Sequence, residues 1–298
     1  MMSALEAARP TSDPLLSLAM TNTSPEERFH VSLQTPAGQI TTEVSVPTQF
    51  VPVTAIVPLV RSLSSQAQQL EEDRAREKGE SVSCRKGCAA CCRMLVPLSV
   101  PEAFVLEASI ERLPEDQRLH RKARLQDAKD RLQKSGLLKQ LQAVSESATP
   151  PTDETFEPLN QAYYALRMPC PFLEEEQCGI YEDRPAACRE LLVTSPAELC
   201  QDLTDPRIRP IPLALRISTT LALLWAELTD TPPRLIPLPV AIDWATRHRA
   251  DRERTWPGNH VFDKALDKLW RYLSQEFESR RSEKNYKSAE LDKPKRED

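Results

Sequence analysis

All eight cysteines of this 298-residue chain fall into two groups, and no other feature of the sequence constrains its fold as strongly. Cys84, Cys88, Cys91 and Cys92 crowd four thiols into nine residues, and Cys170, Cys178 and Cys188 answer them far downstream, with Cys200 beyond. That density exceeds what an ordinary apolar core uses. Thiolates are ligands for zinc and for the irons of iron–sulfur clusters, and pairs a few residues apart are what a short turn around one metal offers. Were residues 84–92 helical, the four sulfurs would share one face about 100° wide. Were they a knuckle, Gly87 would supply the positive φ that turns backbone N–H groups toward sulfur. Glycine is scarce, six in all, yet Gly87 precedes Cys88 and Gly179 follows Cys178. The favoured reading is a knuckle that runs into a helix. Because Cys91 and Cys92 are adjacent, they are expected to serve two metals, or one ligates while the other packs.

The wider pattern is Cys-x3-Cys-x2-Cys-Cys at positions 84, 88, 91 and 92, followed by Cys170, Pro171, Phe172 and Leu173. It continues through Cys178, Ile180, Tyr181, Arg184, Pro185, Cys188 and Arg189. In these residues the chain resembles the YkgJ-type cysteine-cluster proteins, a family described as zinc- or iron-chelating. The resemblance covers roughly residues 80–200. It implies metal chelation and no settled activity; Cys200 lies beyond its core motif.

A chain of this length can bury a real core in one large domain or two small ones. Its hydrophobic content of 40% is slightly lean, which fits unstructured ends. The net charge of −5 gives no general reason to bind nucleic acid or anionic lipid. With 26 prolines and few glycines, the chain lacks phosphate-cradling loops and favours short helices. Residues 1–20 have no basic leader, and the apolar window at 211–228 carries Arg216 and Glu227, so neither a signal peptide nor a membrane span is expected. A cytoplasmic location follows, where thiols stay reduced; four disulfides are the competing use of eight cysteines.

Read in order, residues 1–27 are expected to be disordered. Residues 28–80 hold a β-hairpin, with alternating runs at 29–33 and 40–46 about a Pro/Gly turn, and a lead-in helix from about 54 that stops at Gly79. The hairpin needs something to lie on. Residues 81–205 form the cysteine-cluster segment. Within it, Ser99, Pro101 and Glu102 spell a capping box for a helix that Pro114 ends, residues 115–146 read as charged helix, Pro150 and Pro151 mark a loop, and a short helix over 159–168 delivers Cys170. Residues 206–279 supply helices near 213–229, 239–250 and 260–278, and residues 280–298 read as a charged disordered tail. The fold class expected is mainly α, an irregular helical bundle around a cysteine-ligated metal centre with a small N-terminal hairpin.

All eight cysteines are candidate ligands for zinc or an iron–sulfur cluster, and the wide gap between the groups suggests that both feed one shared site. Arg184 and Arg189 are expected to stand behind the ligands and offset their negative charge. Lys86 reads as solvated, Tyr181 as core packing, and Glu174, Glu175 and Glu176 as a solvated loop. His30, His120, His248 and His260 have no ligand-spaced partner and read as surface or packing residues. The Cys84, Cys88, Cys91 spacing also occurs in radical S-adenosylmethionine enzymes, but no repeated βα pattern supports that fold here. Two functions stay open: a metal-binding module, or a metal-dependent enzyme with a remote resemblance to flagellin lysine-N-methylases. No catalytic residue can be named from the sequence.

Overall fold

The computed structural model describes residues 25–149, 153–202, 204–213 and 215–291. The expectations for residues 1–24, the prolines at 150 and 151, and residues 292–298 lie outside the described residues. The chain is mainly helical with an N-terminal hairpin. β1 (Glu26–Thr35) pairs antiparallel with β2 (Gly38–Pro47), Leu33 facing Ile40. Alternation buries Val31, Leu33, Ile40, Val44 and Val46 on one face. That face lies on α1 (Val57–Glu77) and on the last helix, where Phe29 meets Phe262 edge-on with ring centroids 5.3 Å apart. The support the hairpin required is therefore present.

α1 follows a short strand, β3 (Phe50–Pro52), and buries Val57, Val60, Leu63 and Ala67 at helical spacing. It stops before Gly79, which takes the left-handed φ of +76°. After the first cysteine group come β4 (Pro97–Ser99) and α2 (Val100–Glu111), a central helix apolar on almost every side. The stretch expected as one helix over 115–146 is two. α3 (Glu115–Lys134) and α4 (Leu137–Glu146) are separated by Gly136 at φ +78°, a left-handed residue that breaks the helical register. α5 (Asp153–Ala165) begins earlier than the sequence suggested and ends just before Arg167, itself at φ +49°.

β5 (Leu173–Glu174), β6 (Gln177–Cys178) and α6 (Ala186–Glu190) carry the second cysteine group. α7 (Ile217–Thr229), β7 (Leu235–Pro237), α8 (Leu238–Arg247), α9 (Arg249–Arg252), β8 (Thr255–Pro257) and α10 (Gly258–Leu291) complete the fold. α10 continues past residue 279, where the sequence suggested a disordered tail; the helix keeps going because no proline or glycine interrupts 259–291. Two pairings of three-residue strands tie the chain's halves together, β4 to β7 and β3 to β8. One continuous core runs from the hairpin through α1, α2, α7, α8 and α10, and at its centre Phe104 touches Trp225 and Trp244 at 5.6 and 5.7 Å. Each such buried aromatic or aliphatic side chain contributes about 1.5–3 kcal/mol.

Glu102 is 1% exposed in the middle of this core. The capping box forms as the sequence implied: its carboxylate accepts from Ser99 N–H at 3.1 Å and Ser99 Oγ at 2.9 Å. It also accepts from Ser218 Oγ at 2.8 Å, Arg61 Nη2 at 3.2 Å and the backbone N–H of Ala186 at 2.7 Å. Glu102→Ala leaves a buried guanidinium and several donors unanswered, which is expected to cost about 3–5 kcal/mol in denaturant unfolding followed by tryptophan fluorescence. A loss under about 1 kcal/mol, the scale of an exposed pair, would contradict this role.

Candidate metal centre

The first cysteine group sits on tight turns. Cys88 N–H reaches Arg85 O at 3.0 Å, Cys92 N–H reaches Ala89 O at 3.0 Å, and Met94 N–H reaches Cys91 O at 3.2 Å. Gly87 takes φ +88°, as a knuckle requires. No helix follows directly, contrary to expectation. The left-handed Gly87 breaks helical register, and Pro97 holds Val96 extended, so α2 starts only at Val100.

The second group is pinned to the first through the backbone: Cys170 N–H donates to Cys92 O at 2.8 Å. Beyond Cys170 the chain folds back in the β5–β6 hairpin, whose turn residues Glu175 and Glu176 both have positive φ, +48° and +58°. Such turns normally use glycine or asparagine, so this one needs support from its surroundings. α3 provides it. Arg124 Nε donates to Pro171 O at 2.8 Å and its Nη2 to Leu173 O, Arg121 pairs with Glu174, and His120 Nε2 lies 3.1 Å from the same carboxylate. Gly179 packs so closely on Arg121 that a Cβ there would strike the guanidinium. Arg93 adds a bridge between the cysteine groups, 3.0 Å from Glu176. Glu174 is half-buried and held by Arg121, while Glu175 and Glu176 are exposed as a solvated loop would have them, Glu176 with Arg93 beside it. Nothing in the local sequence marks their partners, which lie on other elements.

Cys188 rides on α6, a helix of five residues fixed at both ends. Its first N–H goes to Glu102, and its last residue, Glu190, accepts the N–H of Ile217 at 2.7 Å. Burial raises the Glu190 carboxyl to about 7.

These elements bring six cysteines from both groups, Cys88, Cys91, Cys92, Cys170, Cys178 and Cys188, around one cavity of about 70 Å³. Phe172, Ile180 and Leu238 form its apolar wall, with Tyr181 and Arg184 at one edge. All eight cysteines are free thiols. Cys84 lies outside the cavity, its Sγ 3.9 Å from Leu191 O, and Cys200 is buried on the 3-10 turn Ala197–Gln201. Both stand within electrostatic reach of Cys88 and Cys91. Among the described residues no group of three or more His, Cys, Asp or Glu side chains is spaced so as to hold a metal ion.

Burial pushes the Cys170 thiol up to about 12 and raises Cys188 and Cys84 as well. A hydrogen bond from Cys92 holds Cys91 down at about 7 and raises Cys92 in return. Arg184 is the cation that lines this cavity. Its guanidinium stacks on the Tyr181 ring at 3.7 Å while its Nε donates to Tyr181 O at 2.9 Å, so Tyr181 is a half-buried platform rather than core packing. Arg189 does not line the cavity; it donates to Arg184 O at 3.1 Å and to Glu182 O. Lys86 is exposed, 5.4 Å above the same tyrosine ring. Half-buried thiols such as Cys170 and Cys188 are expensive to ionise without a counter-charge, and a bound cation reverses that penalty. The donor set therefore suits a thiophilic metal.

Arg124→Ala should loosen the 171–178 loop alone. Hydrogen exchange is expected to speed up for amides in that loop while the β1–β2 hairpin amides keep their protection; uniform loss of protection would refute a local role.

No curated protein and no solved structure matches the chain. Residues 83–202, a span that includes all eight cysteines, match the model of the CxxCxxCC family, described as a putative zinc- or iron-chelating domain, which bears out the resemblance to the cysteine-cluster proteins.

Proposed function

We propose that the two cysteine groups jointly hold zinc or an iron–sulfur cluster, and that the protein is a metal-binding module in which this centre clamps two distant segments. The observation that carries the reading is the single cavity of about 70 Å³ lined by six thiols, three from each group. A tetrahedral zinc site uses four thiolates at about 2.3 Å, so six leave room for one such site with spare sulfurs or for two metals that share ligands. The adjacent Cys91 and Cys92 fit either case, since their side chains leave consecutive backbone positions. Cys84 and Cys200 would complete a larger set by reaching in from beside Cys88 and Cys91.

Arg184, at the cavity edge, would offset the net negative charge of a thiolate-bound divalent ion. Arg189 would act at one remove, through its bond to the Arg184 carbonyl. When bound, the metal would supply a cross-link between segments that the backbone already joins at Cys92 and Cys170.

Anaerobic purification followed by metal and sulfide analysis and a visible spectrum tests the reading. Iron with stoichiometric sulfide and a brown colour means a cluster; a colourless protein with zinc means a thiolate zinc site; a protein that takes up neither refutes the proposal. For sharing, Cys88→Ser and Cys170→Ser are expected to lose metal alike, by tenfold or more in affinity, read by chelator competition. Full retention in Cys170→Ser would show that the first group binds alone.

A further inference from the structure

Tyr181 and Arg184 form a wall with two sides. One faces the cysteine cavity; the other faces a polar cleft of about 430 Å³ between α1 and the 181–192 segment, lined also by Ser65, Gln68, Glu72 and Arg189. Most half-buried arginines among the described residues hold a carboxylate partner. Arg61 is paired with Glu102, Arg121 with Glu174 and Arg252 with Glu107. Arg184 and Arg189 make no ion pair among the described residues. Among the described residues Arg184 uses only its Nε, on Tyr181 O, which leaves the N–H edge of its fork open to the cleft. Arg189 uses Nε and one Nη on backbone carbonyls, and Gln68 Nε2 fixes its own carbonyl at 2.7 Å.

Two neighbouring guanidinium groups repel, and partly buried N–H donors without acceptors carry a penalty that a ligand can relieve. Glu72 and Glu80 sit on the α1 side of the cleft, and Arg76 there already pairs with Asp73 at 2.5 Å. A planar carboxylate or a phosphate matches the geometry of a guanidinium fork. The cleft volume is that of a small-molecule site. Arg189 lies on the cleft and not on the cysteine cavity, so an anion that pairs with it would enter from the cleft side.

We propose that this cleft binds a small molecule bearing a carboxylate or phosphate group, through Arg189 and Arg184, beside the cysteine cavity. Arg189, outside the cysteine cavity, carries the proposal, while Arg184 and Cys84 are shared between this cleft and the metal reading.

Calorimetric titration of the full chain, as purified, with succinate and separately with inorganic phosphate tests it, metal content being measured before and after. Binding of succinate alone assigns a carboxylate ligand, and binding of phosphate alone a phosphate. Arg189→Gln is expected to weaken whichever anion binds by about tenfold or more, its metal content being read in the same samples. Should that variant unfold, Ser65→Asp, which places a competing carboxylate in the cleft from an exposed face of α1, is expected to give the same loss. Failure of both anions to bind at millimolar concentration overturns the proposal, as does parental affinity in Arg189→Gln or Ser65→Asp.

Discussion

A carboxylate taken out of water must find donors, and Glu102 finds them on four different segments. Ser99 precedes its own helix, Arg61 comes from α1, Ser218 from α7, and Ala186 opens the helix that carries Cys188. Desolvating a carboxylate costs several kcal/mol, recovered only when its partners are in place together. The four segments are therefore positioned as a set. α6 shows the consequence most directly, because a five-residue helix has no stability of its own. It persists because Glu102 takes its first N–H and Glu190 ties its end to α7. The place of Cys188 is thus decided by a carboxylate that belongs to the core, not to the sulfur cluster.

The rest of the second cysteine segment is held differently. Phe172 and Ile180 reach into the common core, with Cys170 and Cys178 packed against it. The loop between them is shaped by arginines from α3 acting on backbone carbonyls and on Glu174. Apolar packing fixes one wall of the cavity, and charge-assisted bonds fix the other. This division suits a thiolate site. Burial raises the pKa of Cys170 and Cys188, a penalty that a bound cation would offset.

Features written in short-range sequence were legible, and features written in long-range pairing were not. The hairpin announced itself by alternation about Pro36 and Gly38, and the capping box by Ser99 and Glu102 three residues on. The convergence of the cysteines was implied by their grouping. By contrast, the strand pairs β3–β8 and β4–β7 are three residues each, too short to show a period. Gly136, at φ +78°, interrupts the stretch read as charged helix, and Leu137 and Leu141 beyond it pack into the core. Glu174 read as part of a solvated loop because Arg121, which binds it, lies on a distant element, whereas Glu175 and Glu176 are exposed as expected. Glu102 itself was read as a cap; its reach to Ala186 depends on tertiary structure alone.

The family match and the folding unit do not share boundaries. The match covers residues 83–202, yet Arg61 and Ser218, which help to satisfy Glu102, both fall outside it. So does Ile217, which anchors the end of α6, and so do β7 and α8, against which β4 and α2 pack. Within the matched segment, the turns around Cys88 and the loop around Cys178 have little regular structure of their own. Their geometry is borrowed from a helical body assembled from both flanks. A chelating motif made of turns can hold several thiols near one cavity only when something rigid stands behind it. In this chain that backing is a single apolar core, with one buried carboxylate at the point where the cysteine-bearing helix joins it.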